Sequence, residues 1–239
     1  LSKTGFIVTK EYYVNDLGSQ VENLAYTLQH HLRNYTNSEN LPLSENMYKG
    51  EYLINIAKKI FTSPSFEIDN FDKLKEYSIE KNLELINKDL SDLGVSFDNY
   101  VSEKKIHEKG LMKKVYEILE NNGYLYYGVL DKPKGSDSKE WVPIKQLLFK
   151  SSLHGDKSDG VLKKHNGDWT YFASDIAYHF DKATRGYDEI INIWGADHAG
   201  YIDRVKASLE ALGFKNTVFT VKLCQIVNLI DKKKVIKMS

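Results

Sequence analysis

A run of six residues near position 195 carries side chains that could act together on a charged small molecule. In Gly195-Ala196-Asp197-His198-Ala199-Gly200, the glycines allow the backbone to approach a ligand closely. Asp197 offers a carboxylate to hydroxyl or ammonium groups. His198 adds a donor and an acceptor near the start of a predicted helix, where phosphate binds favourably. The alternative interpretation is a tight turn whose Asp and His cap that helix.

Two further groups have chemistry that would complement such a turn. Tyr171 and Asp175 are four residues apart at the start of a predicted helix, and a phenol beside a carboxylate suits a guanidinium or ammonium group. Alternatively, Asp175 only stabilises the helix end, by roughly a few tenths of a kcal/mol. Lys237-Met238-Ser239 follows a strand-like run and could grip phosphate, or it could be a solvated turn beside the lysines at 232–234.

The elements around these residues predict a parallel α/β arrangement. Residues 190–194 form a short apolar run that ends at Gly195, as expected for a parallel strand covered on both faces. A helix with apolar residues at 205, 209 and 212 follows, and then a strand from 218 to about 227. This order is typical of a doubly wound sheet, in which ligands bind beyond the carboxyl ends of the strands.

Upstream of residue 145 the pattern is mainly helical. Residues 6–14 predict a strand, and Asp16 is a candidate N-cap for a helix over 17–35. Apolar spacing predicts further helices around 53–60, 83–93 and 111–119. Residues 131–141 are charged and rich in Pro, Gly and Ser, which favours a linker. An Asn-Gly pair at 166–167, between β-prone residues 161–164 and 169–172, predicts a hairpin, after which Ser174 or Asp175 opens a helix.

Composition limits the class of protein. The 239 residues carry 33 basic and 33 acidic side chains, which excludes a strongly basic nucleic-acid wrapper but leaves room for a local basic patch. Cys224 is the single cysteine, so an internal disulfide and a cysteine-built zinc site are excluded. No apolar run approaches the roughly 20 residues of a membrane span, and no signal peptide is evident. We expect a soluble, cytoplasmic, monomeric protein without a membrane partner.

Taken in order, the motifs closely resemble the catalytic core of bacterial-type arginyl-tRNA synthetase, a class I aminoacyl-tRNA synthetase. The segments that carry the resemblance are EYYVNDLGSQV at 11–21, YKGEYL at 48–53, QLLFKSSLHGDKSDGVLKK at 146–164, DWTYFASDIAYH at 168–179, INIWGADHAGY at 191–201 and VIKMS at 235–239. The resemblance implies an α/β fold of the split Rossmann type, with a parallel sheet interrupted by a mainly helical insertion. Residues 1–20 and 145–239 would form the two parts of the nucleotide-binding domain, and 21–144 the insertion.

The resemblance also implies roles for individual residues. Tyr171 and Asp175 would hold the arginine side chain, with Asp175 pairing its guanidinium, and Asp197 would lie near the α-amino group and ribose. His198 would line the adenosine side, and Lys237 would stabilise the ATP phosphates during activation. Lys237 and His198 are therefore the candidate catalytic residues, and the candidate ATP-binding residues are Gly195, Asp197, His198, Lys237, Met238 and Ser239. The implied substrates are L-arginine, ATP with Mg²⁺, and tRNA(Arg), with no metal-binding residues of the protein's own.

Some parts of the family pattern are not in this sequence. The His-Ile-Gly-His-type signature, the second Lys of the terminal signature, and the amino-terminal and anticodon-binding domains are missing. We therefore expect a fragment of a longer protein that is inactive alone. An alternative function is that of a nucleotide- or tRNA-binding paralogue that has lost activity. The intact candidate residues favour the enzyme, and Asp175 disfavours a different class I synthetase.

Overall fold

Helices dominate the first half of the chain, whereas helices and strands alternate in the second half. The computed structural model describes residues 1–37, 41–62, 69–130, 142–232 and 234–236. The helices are α1 (Ser19–Asn37), α2 (Glu51–Phe61), α3 (Phe71–Asp92), α4 (Glu103–Glu108), α5 (Leu111–Asn121), α6 (Tyr171–Thr184) and α7 (Ile202–Ala211). The strands are β1 (Glu11–Val14), β2 (Asn99–Ser102), β3 (Leu125–Gly128), β4 (Gln146–Phe149), β5 (Gly160–Lys163), β6 (Glu189–Gly195), β7 (Val218–Cys224), β8 (Leu229–Asp231) and β9 (Lys234–Ile236). The predicted α/β class is confirmed.

The described residues divide into two compact units, Leu1–Lys104 together with Ile236, and Lys105–Val235. This boundary lies inside the predicted insertion at 21–144. Within the described residues of the first unit β1 pairs with β2, and within those of the second unit β6 pairs with β7. The split Rossmann description is therefore not confirmed and remains a prediction. The predicted linker at 131–141 lies outside the described residues.

In the first unit, the apolar stripes of three helices meet in one core. Residues of α1, α2 and α3 that recur at helical spacing are fully or almost fully buried there: Ala25, Leu28, Leu32, Leu53, Ile56, Ala57, Ile60 and Leu74. Helix α3 begins at Phe71, where the Asn70 side chain accepts a hydrogen bond from the Lys73 amide. The predicted helices are present, and α3 is longer than the 83–93 segment that its apolar spacing suggested.

Strand β1 is shorter than predicted, and Asp16 caps a different helix. The predicted strand over 6–14 is reduced to Glu11–Val14, which runs parallel to β2, and Ile7 is fully exposed. Asp16 does not cap α1, because one carboxylate oxygen accepts from the Lys104 amide at 2.9 Å and the other from the Ser102 hydroxyl at 2.5 Å. It thus joins the exit of β1 to the start of α4, a contact between residues far apart in sequence.

In the second unit, a three-stranded antiparallel sheet of β3, β4 and β5 precedes a parallel pair. The Asn-Gly turn is present after β5, but the second strand of the predicted hairpin contracts to a single bridge between Lys163 and Trp169. Helix α6 begins at Tyr171, earlier than predicted, because the Thr170 hydroxyl caps it by accepting from the Ala173 amide.

Strand β6, helix α7 and strand β7 form the predicted strand–helix–strand unit, with the two strands parallel. The prediction that β6 is covered on both faces is wrong. Its side chains alternate, with Ile190 and Asn192 buried while Ile193 is 72% exposed. Only one face of β6 is therefore covered in the described part of the chain, and the polar Asn192 lies on that face.

Candidate active site

The turn after β6 presents the acidic and basic side chains that the sequence singled out. Gly195 ends the strand, and residues Ala196–Tyr201 form a 3-10 turn before α7. Asp197 and His198 are both exposed on this turn, with 3.5 Å between the Asp197 Oδ2 and the His198 Nε2. A carboxylate and an imidazole thus stand at the carboxyl end of a parallel strand, where ligands bind in doubly wound sheets.

Gly195 allows Asp197 to fold back over the strand end. A Cβ atom at position 195 would lie 2.4 Å from the Asp197 Oδ1, closer than nonbonded atoms approach. The backbone of Gly195 is extended, with φ −62° and ψ 149°, so a side chain here would conflict with the present position of the Asp197 carboxylate and not with the backbone. The glycine therefore determines where the Asp197 carboxylate points.

Tyr171 and Asp175 lie in the first turns of α6. The Tyr171 side chain is 82% exposed, and Asp175, one turn further along, is half-buried. Residues four apart on a helix share one face, so the phenol and the carboxylate are presented on the same side of α6. That the pair binds a guanidinium or ammonium group stays a prediction.

An open cavity of about 340 Å³ lies beside the start of α6. Tyr171 lines it together with Tyr201, which comes from the end of the turn after β6. The structure thus brings the two predicted segments to one cavity. Among the described side chains, Asp175, Asp197 and His198 do not line its wall.

Asp159 and Arg204 line this cavity, and both side chains already have hydrogen-bond partners within the protein. Burial alone would raise the pKa of Asp159, but hydrogen bonds from the Ser152 hydroxyl and amide and from the Tyr126 hydroxyl hold that pKa below its usual range. The hydrogen bond between the Tyr126 hydroxyl and Asp159 also raises the pKa of Tyr126 to about 12. Arg204 donates from Nε to the buried Asp156 at 2.8 Å, and this pair fixes the guanidinium on the wall.

Sequence reasoning missed a buried polar chain between α6 and β6. His179 Nδ1 lies 2.7 Å from the Asp175 carbonyl oxygen, and its Nε2 lies 2.6 Å from Asn192 Nδ2. The Asn192 Oδ1 accepts from Lys182 Nζ at 2.7 Å. All three side chains are buried. The histidine falls within the motif quoted above, but no local signal identified the inward-facing Asn192.

The remaining predicted site residues cannot be placed in the same way. Lys237, Met238 and Ser239 lie outside the described residues, although β9 leads directly to them. Within the described ranges, no three His, Cys, Asp or Glu side chains converge as a metal-binding group. No helix in those ranges is long and apolar enough to cross a membrane.

Comparison with curated proteins finds close relatives along the whole chain. The chain is 40% identical over 245 residues to the arginine–tRNA ligase of Rickettsia bellii (strain OSU 85-389) and 39% identical over 246 residues to that of Orientia tsutsugamushi (strain Boryong). Each match covers 100% of this chain and 42% of the relative. The chain thus spans about two fifths of the length of these relatives. No family model matches the sequence.

Solved structures give the same result. A protein from Campylobacter jejuni described as an arginyl-tRNA synthetase matches 98% of this chain and 49% of its own chain, with a TM-score of 0.79 and 34% identity. The arginyl-tRNA synthetase of Thermus thermophilus matches 93% of this chain and 42% of its own, with a TM-score of 0.57 and 17% identity, which supports the fold alone. The resemblance seen in the sequence motifs is thereby confirmed, and this chain is related over its whole length to a segment of the arginyl-tRNA synthetases.

Proposed function

We propose that this chain supplies the arginine- and ATP-binding part of an arginine–tRNA ligase. The observation that carries the proposal is the match to arginine–tRNA ligases over 100% of the chain, which includes α6 and the turn after β6. The geometry supports it, because the phenol of Tyr171 and the carboxylate of Asp175 share one face of a helix. An anionic and aromatic face of this kind is suited to a guanidinium group.

The proposed roles follow from the chemistry of each group. Asp175 pairs with the guanidinium of arginine and Tyr171 packs against it, whereas Asp197 accepts hydrogen bonds from the α-amino group and the ribose. His198 and the backbone at Gly195 contact the adenosine. Lys237, with Met238 and Ser239, closes on the phosphates of ATP, which enters as its Mg²⁺ complex.

The reaction needs no covalent intermediate on the protein. A carboxylate oxygen of arginine attacks the α-phosphorus of ATP, the bond to the β-phosphate oxygen breaks, and pyrophosphate leaves. A terminal ribose hydroxyl of tRNA(Arg) then attacks the carbonyl carbon of arginyl-adenylate, loses its proton, and AMP leaves. The side chains contribute by holding the reactants in line and by offsetting negative charge that develops on the phosphates.

The split Rossmann architecture belongs to this proposal. Residues 1–20 and 145–239 would form one nucleotide-binding domain, and 21–144 would be inserted between its parts. The parallel unit β6–α7–β7 supports a Rossmann-type arrangement. An experimental structure of the full-length protein with an arginyl-adenylate analogue would test it, because β1 and β6 should then belong to one sheet.

The first test removes the charge of Asp175. In the full-length protein, arginine-dependent exchange of pyrophosphate into ATP is measured with tRNA present, first for the wild type and then for Asp175→Asn. A charge-assisted contact contributes about 1.5–3 kcal/mol, so the KM for arginine should rise by roughly 10–150-fold. Asp181→Asn is the matched control, since Asp181 lies on the same helix and pairs with Arg185 at 3.5 Å.

The outcomes separate the candidate functions. A folded Asp175→Asn protein with an unchanged KM would return Asp175 to a purely helix-stabilising role. A wild type that binds ATP or tRNA but never activates arginine would instead support a binding paralogue.

A second test addresses the terminal loop. An interaction made mostly in the transition state lowers kcat and kcat/KM together and leaves ground-state binding nearly intact. Lys237→Ala should slow arginine activation at least about tenfold, or roughly 1.4 kcal/mol, with a much smaller change in ATP affinity. Lys232→Ala, a nearby lysine in the β8–β9 turn, is the control and should change neither quantity. Unaltered activation in Lys237→Ala would remove this residue from the site.

A further inference from the structure

The buried chain of His179, Asn192 and Lys182 joins the two segments that carry the proposed substrate contacts. It starts on α6 at the carbonyl oxygen of Asp175 and runs through His179 to Asn192 of β6, three residues before Gly195. From Asn192 it returns to Lys182 of α6. We propose that these hydrogen bonds hold α6 in one position and orientation against β6 and thereby place Asp175 for binding arginine. The inference rests on the proposed function, and it makes His179 and Asn192 positioning residues.

The donors and acceptors along the chain permit one arrangement. Lys182 Nζ can only donate, so it turns the Asn192 oxygen towards itself and the Asn192 amide nitrogen towards His179. The His179 Nε2 must then be the acceptor and carry no proton. The proton is on Nδ1, which donates to the Asp175 carbonyl oxygen at 2.7 Å.

Aromatic side chains surround this buried arrangement. The His179 ring meets the rings of Trp194 and Phe219 nearly perpendicularly, with centroids 6.1 and 5.5 Å away. Lys182 Nζ lies 4.2 Å from the centre of the Tyr178 ring. Trp194 directly precedes Gly195, so His179 also packs against the residue that leads into the Asp197–His198 turn. A satisfied buried network is directional, and it specifies one relative placement of helix and strand.

Two substitutions of His179 separate the two hydrogen bonds of its ring, to the Asp175 carbonyl and to Asn192. A Gln amide reaches about as far as Nε2, so His179→Gln keeps an acceptor for Asn192, whereas His179→Asn reaches only to Nδ1 and loses the link to β6. In the full-length protein, we expect His179→Gln to keep the KM for arginine within about threefold of wild type and His179→Asn to raise it at least tenfold. The kcat at saturating arginine should change less than KM in both variants.

A control accounts for simple loss of stability. Ile190→Val removes one methyl group from the same buried face of β6 and breaks no hydrogen bond. It should lower the melting temperature while leaving the KM for arginine unchanged. Equal KM values for His179→Gln and His179→Asn, or a rise in KM in the Ile190→Val control that matches that of His179→Asn, would overturn the positioning role.

A spectroscopic measurement tests the hydrogen bonds of His179 independently of any enzyme assay. Long-range ¹H–¹⁵N correlation spectra of the wild type should show His179 protonated on Nδ1 and bare on Nε2 at pH 7. Asn192→Asp replaces the facing donor with an acceptor and should move a proton to Nε2. An Nε2–H tautomer in the wild type, or an unchanged tautomer in Asn192→Asp, would refute the proposed hydrogen-bond arrangement. This readout applies even if His179→Asn does not fold.

The two failures are distinguishable. If the wild type does not activate arginine but shows the expected spectra, the proposed function and the role of these residues in positioning arginine are both wrong. The hydrogen bonds between α6 and β6 would still be supported.

Discussion

Lowering the pH from 7 to 5.5 should destabilise the unit Lys105–Val235 through His179. Burial lowers the pKa of His179 well below its usual value, and the positive charge of Lys182 acts in the same direction. The folded protein therefore keeps this imidazole neutral while the unfolded chain takes up a proton near pH 6.5. Because the unfolded state binds more protons below that pH, the free energy of unfolding falls as the pH falls.

The magnitude follows from the unfolded-state pKa alone while the folded form stays neutral. The loss is RT ln(1 + 10^(6.5−pH)), which gives about 1.4 kcal/mol at pH 5.5 and about 0.2 kcal/mol at pH 7. His179 should therefore account for a decrease of about 1.3 kcal/mol between these pH values. His107 lies in the same unit and also has a pKa lowered by burial, so it adds to the total decrease.

Comparison with His179→Gln isolates the contribution of His179. All tryptophans of the chain fall between residues 105 and 235, so urea unfolding followed by tryptophan fluorescence reports on this unit. The variant keeps His107, and its free energy of unfolding should therefore fall by about 1.3 kcal/mol less than that of the wild type over the same pH range. Parallel pH profiles for the two proteins would show that the imidazole is protonated in the folded state and would refute the argument.

Three other substitutions test local parts of the structure. Gly195→Ala should leave the free energy of unfolding within about 0.5 kcal/mol of wild type, because the exposed Asp197 side chain can swing away. It should raise the KM for arginine in the exchange assay, because the carboxylate is displaced. Burial raises the pKa of Glu103, so Glu103→Gln should become more stable relative to wild type as the pH rises from 4 to 7 in urea titrations. Asp16→Ala should cost about 0.5–2 kcal/mol in urea unfolding followed by circular dichroism, because the Lys104 amide loses its acceptor.

Periodic burial is a local property, and it was the most predictable part of the fold. The spacing of Val21, Leu28 and Leu32 predicted α1, and all three side chains are buried. The run at 190–194 predicted a parallel strand that ends at Gly195, and β6 is that strand. The motif at 168–179 together with the turn at 195–200 was enough to show the resemblance to the arginyl-tRNA synthetases, because the spacing between chemically distinctive residues is a property of the sequence itself.

Contacts between distant residues decided what the sequence could not show. Asp16 stands next to a predicted helix start, yet its carboxylate is used by Ser102 and Lys104, more than eighty residues away. Asn192 lies between isoleucines in an apolar run, and nothing local indicates that its side chain points inwards to His179. In both cases the polar group takes its partner from another element, so the partner is known only once the chain has folded.

The use of hydrogen bonds between α6 and β6 has a physical reason if Asp175 binds arginine. A guanidinium is recognised by planar, paired hydrogen bonds, so the angle and height of the carboxylate matter as much as its charge. Apolar contacts are not directional, and a helix packed by them alone can shift by fractions of an ångström at little cost. The bonds from Asn192 to His179, and from His179 to the Asp175 carbonyl, act on the same turn of helix that carries the carboxylate. Stability alone would be served equally well by apolar residues at these positions, since a buried polar network is often no more stabilising than its apolar replacement. What the network adds is one fixed position and orientation of α6, and these determine where the Asp175 carboxylate lies.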